Sequence, residues 1–225
     1  NINSIRKRVA QARRFLRQSE ADVLCLQETK VIDELFPRKA FEELGYANII
    51  VSGQRSYNGV AIISRFPLQN VTTRNWCNSG EKRYLRATLP QEIDLHNFYI
   101  PAGGEKPDPK RNPKFKEKLR FFKELEKWFS SAELGRNRIL LGDLNVAPLK
   151  SDVWSHEKLM NVVSHTSIEI EHYNSLFSSH DWVDAVRFSS GSNKKIYSWW
   201  SYRNSDWKKT DKGRRLDHIW VTEAL

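Results

Sequence analysis

The sequence predicts an α/β fold in which two β-sheets pack face to face and helices flank them. Three observations carry this. Short apolar runs of strand length recur, several of them consecutively. Segments with apolar residues at helical spacing intervene between others, as in layered α/β architectures. Eight Trp, seven Tyr and eleven Phe in 225 residues are too much apolar surface for a solvated coil, so a large core must form.

The elements follow in order. Ile5, Val9, Ala12 and Leu16 fall at helical spacing, with Ser4 placed to cap the helix. Ala21 to Leu26 is an apolar run, a buried strand ending at Gln27-Glu28. A short helix over Arg38–Leu44 is stopped by Gly45. Strands are expected at 47–51, 59–64, 84–89 and 93–100. Phe115, Leu119, Phe122 and Phe129 mark one face of a long helix at about 114–132. A buried strand, Arg138–Leu141, ends at Gly142-Asp143. A helix near 168–179 and strands near 196–200 and 215–221 complete the chain. No linker, repeat or low-complexity tract divides it, so 1–225 is read as a single domain.

Charge narrows the partners. Thirty-seven Lys and Arg against 27 Asp and Glu leave a net charge of +10, which attracts nucleic acid, anionic lipid or phosphorylated metabolites. The basic groups cluster: six against one acid in residues 1–20, seven against three in 101–120, and eight against two in 189–215. The last segment interleaves Tyr197, Trp199, Trp200, Tyr202 and Trp207 with Lys208, Lys209, Arg214 and Arg215. Basic groups contact phosphates and aromatic faces stack on bases, so this segment is the candidate nucleic-acid surface. No apolar stretch approaches the roughly 18 residues of a membrane span, so no membrane partner is expected. Two Cys cannot build a disulfide framework, and Cys25 lies in an apolar run, which suits a reducing compartment.

Apolar strands repeatedly end in carboxylates or carboxamides. The strand through Leu26 runs into Glu28, the one through Leu141 into Asp143 and Asn145, and Asp217 stands inside an apolar strand. Asn1 and Asn3 share a face if extended, as do Asp143 and Asn145. Each has an ordinary reading: a surface Glu, a turn, an ion pair with Arg214 or Arg215. Together they form an oxygen-rich set with no Cys/His cluster, which favours Mg²⁺ or Mn²⁺ over Zn²⁺. Such a cation in a basic, aromatic-lined site suits phosphodiester hydrolysis.

Seven motifs stand in one order: Asn1-Ile2-Asn3-Ser4-Ile5-Arg6, Leu26-Gln27-Glu28-Thr29-Lys30, Tyr57-Asn58-Gly59-Val60-Ala61, Asn97-Phe98-Tyr99-Ile100-Pro101, Gly142-Asp143-Leu144-Asn145-Val146-Ala147-Pro148, Tyr197-Ser198-Trp199-Trp200-Ser201-Tyr202-Arg203 and Arg215-Leu216-Asp217-His218. In these the chain resembles the exonuclease III-type apurinic/apyrimidinic endonucleases of the endonuclease/exonuclease/phosphatase superfamily. The resemblance implies a four-layered α/β sandwich with the site at one edge of two packed mixed sheets. By matching position, Glu28 is the main metal carboxylate, and Asn1 and Asn3 are its neighbours in the metal and phosphate network. Tyr99 faces the scissile phosphate. Asp143 activates water or protonates the leaving group, beside the metal, and Asn145 hydrogen-bonds the developing charge. Trp199 and Trp200 line the pocket for the flipped-out abasic sugar, and Asp217 orients a histidine.

The chain departs from the pattern in three places. Ser4 stands where the family has Gly, and Ala102 where it often has Asn or Gln. The family's first strand and its closing Ser-Asp-His segment lie outside 1–225, so the sequence is expected to be a core piece of a longer protein. His218 adjoins Asp217 in a strand, so the two side chains should point to opposite faces. The implied activity is Mg²⁺-dependent cleavage of duplex DNA 5′ to abasic sites and from 3′ ends, by a cytoplasmic, nucleoid-associated bacterial monomer. A phosphodiesterase acting on phospholipid or inositol phosphate, and a non-catalytic nucleic-acid-binding regulator of the same fold, are the competing readings. Retention of Glu28 and of Gly142-Asp143-Leu144-Asn145 favours an enzyme.

Overall fold

In the computed structural model, residues 1–131, 137–201 and 206–225 are described. The end of the long helix at 132, and Tyr202 and Arg203, lie outside these residues. The chain forms two compact units, Asn1–Tyr99 with Asn137–Asp143, and Ile100–Arg136 with Leu144–Leu225.

The first unit is layered. Helices α1 (Ile5–Ser19) and α2 (Lys39–Glu42) lie against a three-stranded antiparallel sheet of β1 (Val23–Gln27), β2 (Asn48–Ser52) and β3 (Val60–Ser64). β3 is central, pairing Ile63 with Leu24 on one side and with Ile49 on the other. Every β3 residue is buried, and alternation explains why. Ala61 and Ile63 pack with Ile5, Leu16 and Phe41 from the helices, whereas Val60 and Ile62 pack with Leu85, Ala87 and Leu95 of a second sheet. That sheet carries β4 (Gln69–Thr72), β5 (Tyr84–Leu89), β6 (Ile93–Tyr99) and β7 (Arg138–Asp143) in this order. β5 and β6 pair antiparallel, while β6 and β7 pair parallel, with Tyr99 opposite Asp143.

The second unit contains α3 (Pro113–Phe129), α4 (His156–Leu159), α5 (Ser167–Phe177), α6 (Ala185–Ser190) and α7 (Trp207–Thr210). Its strands are β8 (Trp182–Asp184), β9 (Trp199–Trp200), β10 (Gly213–Arg214) and β11 (Asp217–Thr222). The long helix starts where Asn112 Oδ1 accepts from the Lys114 and Phe115 amides at 3.1 and 3.4 Å, with Pro113 in the first turn. α5 starts at a capping box of Thr166 and Glu169. Phe115 and Leu119 of α3 pack with Val163 and Ile168. β8 pairs with β11 and β9 with β10, both antiparallel.

The expected strands and long helices form within a few residues of their sequence positions. Three strands escape the apolar pattern: β4 is fully exposed, β8 has three residues and β10 has two. Ser4 is the clearer correction. Its side chain makes no cap hydrogen bond, and its φ is 82°. The Ser4 amide instead donates to Glu28 O at 2.8 Å, which turns the chain from the edge of β1 into α1. A positive φ is what the family's glycine suits, and a side chain there is strained by roughly 1–3 kcal/mol. Ser4→Gly is therefore expected to raise stability by about 1 kcal/mol, seen as a Tm about 2–4 °C higher in calorimetry. An unchanged or lower Tm would show that Ser4 is not strained.

Candidate active site

Four chain segments converge at one end of the sheets in the first unit. Residues 2–5 run along the end of β1, with Ile2 N donating to Gln27 O at 2.9 Å and Ile5 N to Thr29 O at 3.1 Å. β1 leaves its ladder at Glu28, which has a φ of 54°. The parallel register of β6 and β7 sets Tyr99 and Asp143 side by side. Beneath them, Gln27 Nε2 donates to Asn97 Oδ1 at 2.7 Å, and Asn97 Nδ2 donates to Leu26 O and Ala61 O at 3.1 and 3.0 Å. This buried carboxamide pair ties β1 and β3 to β6.

The side chains then meet. Asn1 Nδ2 donates to Glu28 Oε1 at 2.9 Å and to Asp143 Oδ2 at 2.8 Å. Its Oδ1 accepts from the Asn3 amide at 3.0 Å, which fixes the orientation of the carboxamide. Tyr99 OH donates to Glu28 Oε1 at 2.7 Å. Lys30 Nζ lies 2.6 Å from Glu28 Oε2 and donates to Asn3 Oδ1 at 2.7 Å. The guanidinium of Arg83 lies 4.7 Å from the centroid of the Tyr99 ring. Burial works to raise the Glu28 pKa, but hydrogen bonds from Lys30, Tyr99 and Asn1 and the Lys30 charge outweigh it and hold the carboxyl below its ordinary range. Burial, reinforced by Glu28, pushes the Tyr99 hydroxyl well above the usual phenol value, so it stays a donor.

Asn145 lies two residues beyond Asp143 in the chain. It has a φ of 54°, and its Nδ2 donates to Ile100 O at 2.8 Å. Asp217 opens β11 and its amide lies 3.0 Å from Ser198 Oγ. As alternation requires, His218 points inward. It is buried, with Nε2 2.8 Å from Val146 O and Nδ1 3.0 Å from Tyr173 OH. Burial, with the positive charge of Arg215, lowers its pKa to about 4.

All 225 residues match the family described as endonuclease/exonuclease/phosphatase. The chain belongs to that family. It is 28% identical to exodeoxyribonuclease III of Haemophilus influenzae over 244 residues, covering all of this chain and 86% of that one. An AP endonuclease structure from Archaeoglobus fulgidus superposes with a TM-score of 0.91 at 31% identity, over all of this chain and 85% of that one. A 3′-5′ exonuclease from Neisseria meningitidis gives 0.90 at 30% identity, over all of this chain and 86% of that one. The exonuclease III-type resemblance read from the motifs stands, as does the α/β fold of two sheets flanked by helices.

The basic, aromatic segment expected to bind nucleic acid is partly internal. Arg215, expected at the nucleic-acid surface, is 2% exposed. Its Nε donates to Asp152 Oδ1 at 2.6 Å and its NH1 to Asp184 Oδ2 at 2.8 Å, in a network that Arg187 joins. Its charge is neutralised inside the unit, so Arg215 is a structural residue. Arg214 is half-buried, donating to Val163 O at 2.9 Å and Ser164 Oγ at 2.8 Å, with its guanidinium 5.5 Å from the Trp199 ring. Trp199 packs against a cluster that includes Val153 and Leu216. Trp200 Nε1 donates to Asp211 at 2.9 Å, and its ring contacts Tyr197 and Trp207. Trp199 and Trp200 are thus half-buried, whereas Trp207 is exposed. Lys208 and Lys209 are exposed on α7.

Lys30 is the site residue that sequence reasoning passed over, although it stands in the quoted Gln27-Glu28-Thr29-Lys30 motif. A lysine two residues from a carboxylate reads as solvated. The positive φ of both Glu28 and Lys30, 54° and 53°, folds it back onto that carboxylate. A depressed native pKa stabilises the fold above the ordinary glutamate value of about 4.3, and this contribution is lost as pH falls through the lower native value. Stability should therefore decline below about pH 4, and Glu28→Gln should flatten that part of the pH–stability curve measured by denaturant unfolding. An identical acid limb in the variant would show that Glu28 is not held ionised.

Proposed function

We propose that Asn1, Glu28, Tyr99, Asp143 and Asn145 are the catalytic machinery of a DNA-repair phosphodiesterase that cleaves 5′ to abasic sites and trims 3′ ends of duplex DNA. The single observation that carries this reading is the Asn1 amide joining the Glu28 and Asp143 carboxylates, with the Tyr99 hydroxyl on Glu28. The similar proteins, an exodeoxyribonuclease III, an AP endonuclease and a 3′-5′ exonuclease, support the substrate.

The donor set fits a hard divalent cation, since carboxylate and amide oxygens suit Mg²⁺ and Mn²⁺ alike. Glu28 would be the main ligand, Asn1, Asn3, Asp143 and Asn145 are the further candidate ligands, and Mg²⁺ is the proposed ion. When bound, it would neutralise charge on the phosphoryl oxygens. Tyr99 stays protonated and fixes Glu28. Asp143, joined to the same amide, orients or deprotonates the attacking water. The Asn145 amide, anchored on Ile100 O, stabilises the charge that develops. Asp217 would orient a histidine, and His218 is not that histidine, because both of its ring nitrogens are engaged elsewhere. Lys208, Lys209, Arg214, Trp199 and Trp200 would hold the DNA, and the protein acts as a cytoplasmic monomer.

An abasic-site duplex assayed with Mg²⁺, with Mn²⁺ and with chelator tests the reading in the full-length protein. Cleavage should require the metal, and Asn145→Ala should lower turnover by about 10²–10³-fold with DNA affinity nearly intact. Metal-independent cleavage, or full activity of Asn145→Ala, would overturn it. The DNA surface has its own test. Log affinity against log salt falls with a slope of roughly −0.9 per neutralised phosphate. Lys208→Ala with Lys209→Ala should flatten the slope by up to about 2. An unchanged slope would place α7 away from the DNA backbone.

A further inference from the structure

The segment that carries Asn145 is held by its carbonyls. Lys118 Nζ donates to Asn145 O at 2.7 Å, His218 Nε2 lies 2.8 Å from Val146 O, and His165 Nδ1 lies 2.6 Å from Ala147 O. A carbonyl only accepts, so both ring nitrogens must carry hydrogen. Three consecutive carbonyls thus each bind a different side chain, and all three side chains are at most 1% exposed. A helix or strand would satisfy these carbonyls from the backbone. Here Asn145 turns to a φ of 54° and leaves the β7 ladder, so side chains supply the donors.

Each donor is itself held from behind. Glu169 forms a buried ion pair with Lys118. His156 Nδ1 lies 2.8 Å from His165 Nε2. The Tyr173 hydroxyl lies 3.0 Å from His218 Nδ1 and accepts from Trp220 Nε1 at 3.2 Å. A ring that donates forward must accept at its other nitrogen when neutral, so His156 and Tyr173 behind the rings go with one tautomer each: Nδ1–H for His165 and Nε2–H for His218.

We propose that Lys118, His165 and His218 are positioning residues for the reaction, a three-donor clamp that fixes the backbone of Asn145–Ala147 and through it the Asn145 amide. The proposal rests on the reading of Asn145 as a reacting group. Transition-state donors act only when placed to within about 0.5 Å, and a misplacement of about 1 Å costs on the order of 10² in rate.

The two histidines use different nitrogens, and this gives a crossed test. Asn Nδ2 takes the place of a histidine Nδ1, and Gln Nε2 that of Nε2. His165→Asn and His218→Gln keep the forward donor, whereas His165→Gln and His218→Asn lose it. On an abasic-site duplex with Mg²⁺, the first pair should stay within about threefold of the wild-type kcat. The second pair should fall by about 10- to 100-fold in kcat, with KM and DNA affinity unchanged. Equal losses for both substitutions at a position, or losses in KM alone, would overturn the clamp. Asn145→Ala made in parallel separates the two readings. Full activity there defeats the assignment of Asn145, whereas a slow Asn145→Ala without the crossed pattern defeats the clamp alone. Nitrogen-15 NMR of the unaltered protein needs no variant to fold: it should show the Nδ1–H tautomer for His165 and the Nε2–H tautomer for His218, and the opposite tautomers would overturn the proposal.

Discussion

Two carboxylates share one amide, and the rest of the first unit is arranged around keeping them there. Bonds from a single Asn1 nitrogen hold Glu28 and Asp143 oxygens within about 6 Å of each other, where two like charges repel by about 3 kcal/mol at an effective dielectric of about 20. Burial adds to that cost, since Asp143 is 5% exposed. The offset is local and visible: the Lys30 ammonium on one Glu28 oxygen, and the Tyr99 hydroxyl with the Asn1 amide on the other. Three donors thus meet on the Glu28 carboxylate, an arrangement that disfavours its neutral form.

Sheet register brings these groups together. Side chains alternate with a period of two, so a slip of one residue between β6 and β7 would turn Tyr99 or Asp143 into the opposite layer. The register is pinned from below by the packing of Val60 and Ile62 on Leu85, Ala87 and Leu95, and by the Gln27–Asn97 carboxamide pair. That pair is a buried polar bridge within an apolar sandwich. Two apolar faces can slide over each other at small cost, but a buried carboxamide that loses its partner costs about 1–3 kcal/mol. The polar bridge therefore sets which strand ends coincide, and the apolar core supplies most of the stability.

Much of this was legible in the sequence because the physics is local. Apolar runs announced β1, β3, β5, β6 and β7, and the polar residues at their ends announced Glu28, Asp143 and Asn145, whereas Tyr99 was singled out only through the family resemblance. The illegible parts depend on partners far away in the chain. Arg215 reads as one more cation in a basic segment, and only the fold shows Asp152 and Asp184 waiting for it. Ser4 has the right chemistry for a helix cap, but the hydrogen bond from its amide to Glu28 O sets a backbone angle that removes its side chain from the role. β4 escaped because an exposed, polar edge strand has no hydrophobic period to read.

The two units solve the same problem by different means. Candidate site residues leave regular structure at positive φ, at Asn3, Glu28 and Lys30 in the first unit, with Ser4 beside them, and at Asn145 in the second. Each such departure takes backbone groups out of a ladder, and buried ones must find new partners. In the first unit most of the partners are other backbone groups: Ile2, Ser4 and Ile5 donate to Gln27, Glu28 and Thr29, and Thr29 and Lys30 donate to Gly59 and Asn58, while the amide and carbonyl of Asn3 use the Asn1 and Arg8 side chains. Most side chains can be exchanged without touching such bonds, although a Cβ at Gly59 would meet Thr29 Oγ1 at 2.3 Å. In the second unit the partners are the side chains of Lys118, His165 and His218, each of which has a second partner behind it. Backbone-to-backbone bonds tolerate substitution around them. A loop held by side chains makes the identity of each buried donor, down to which ring nitrogen carries the proton, part of the geometry of the site.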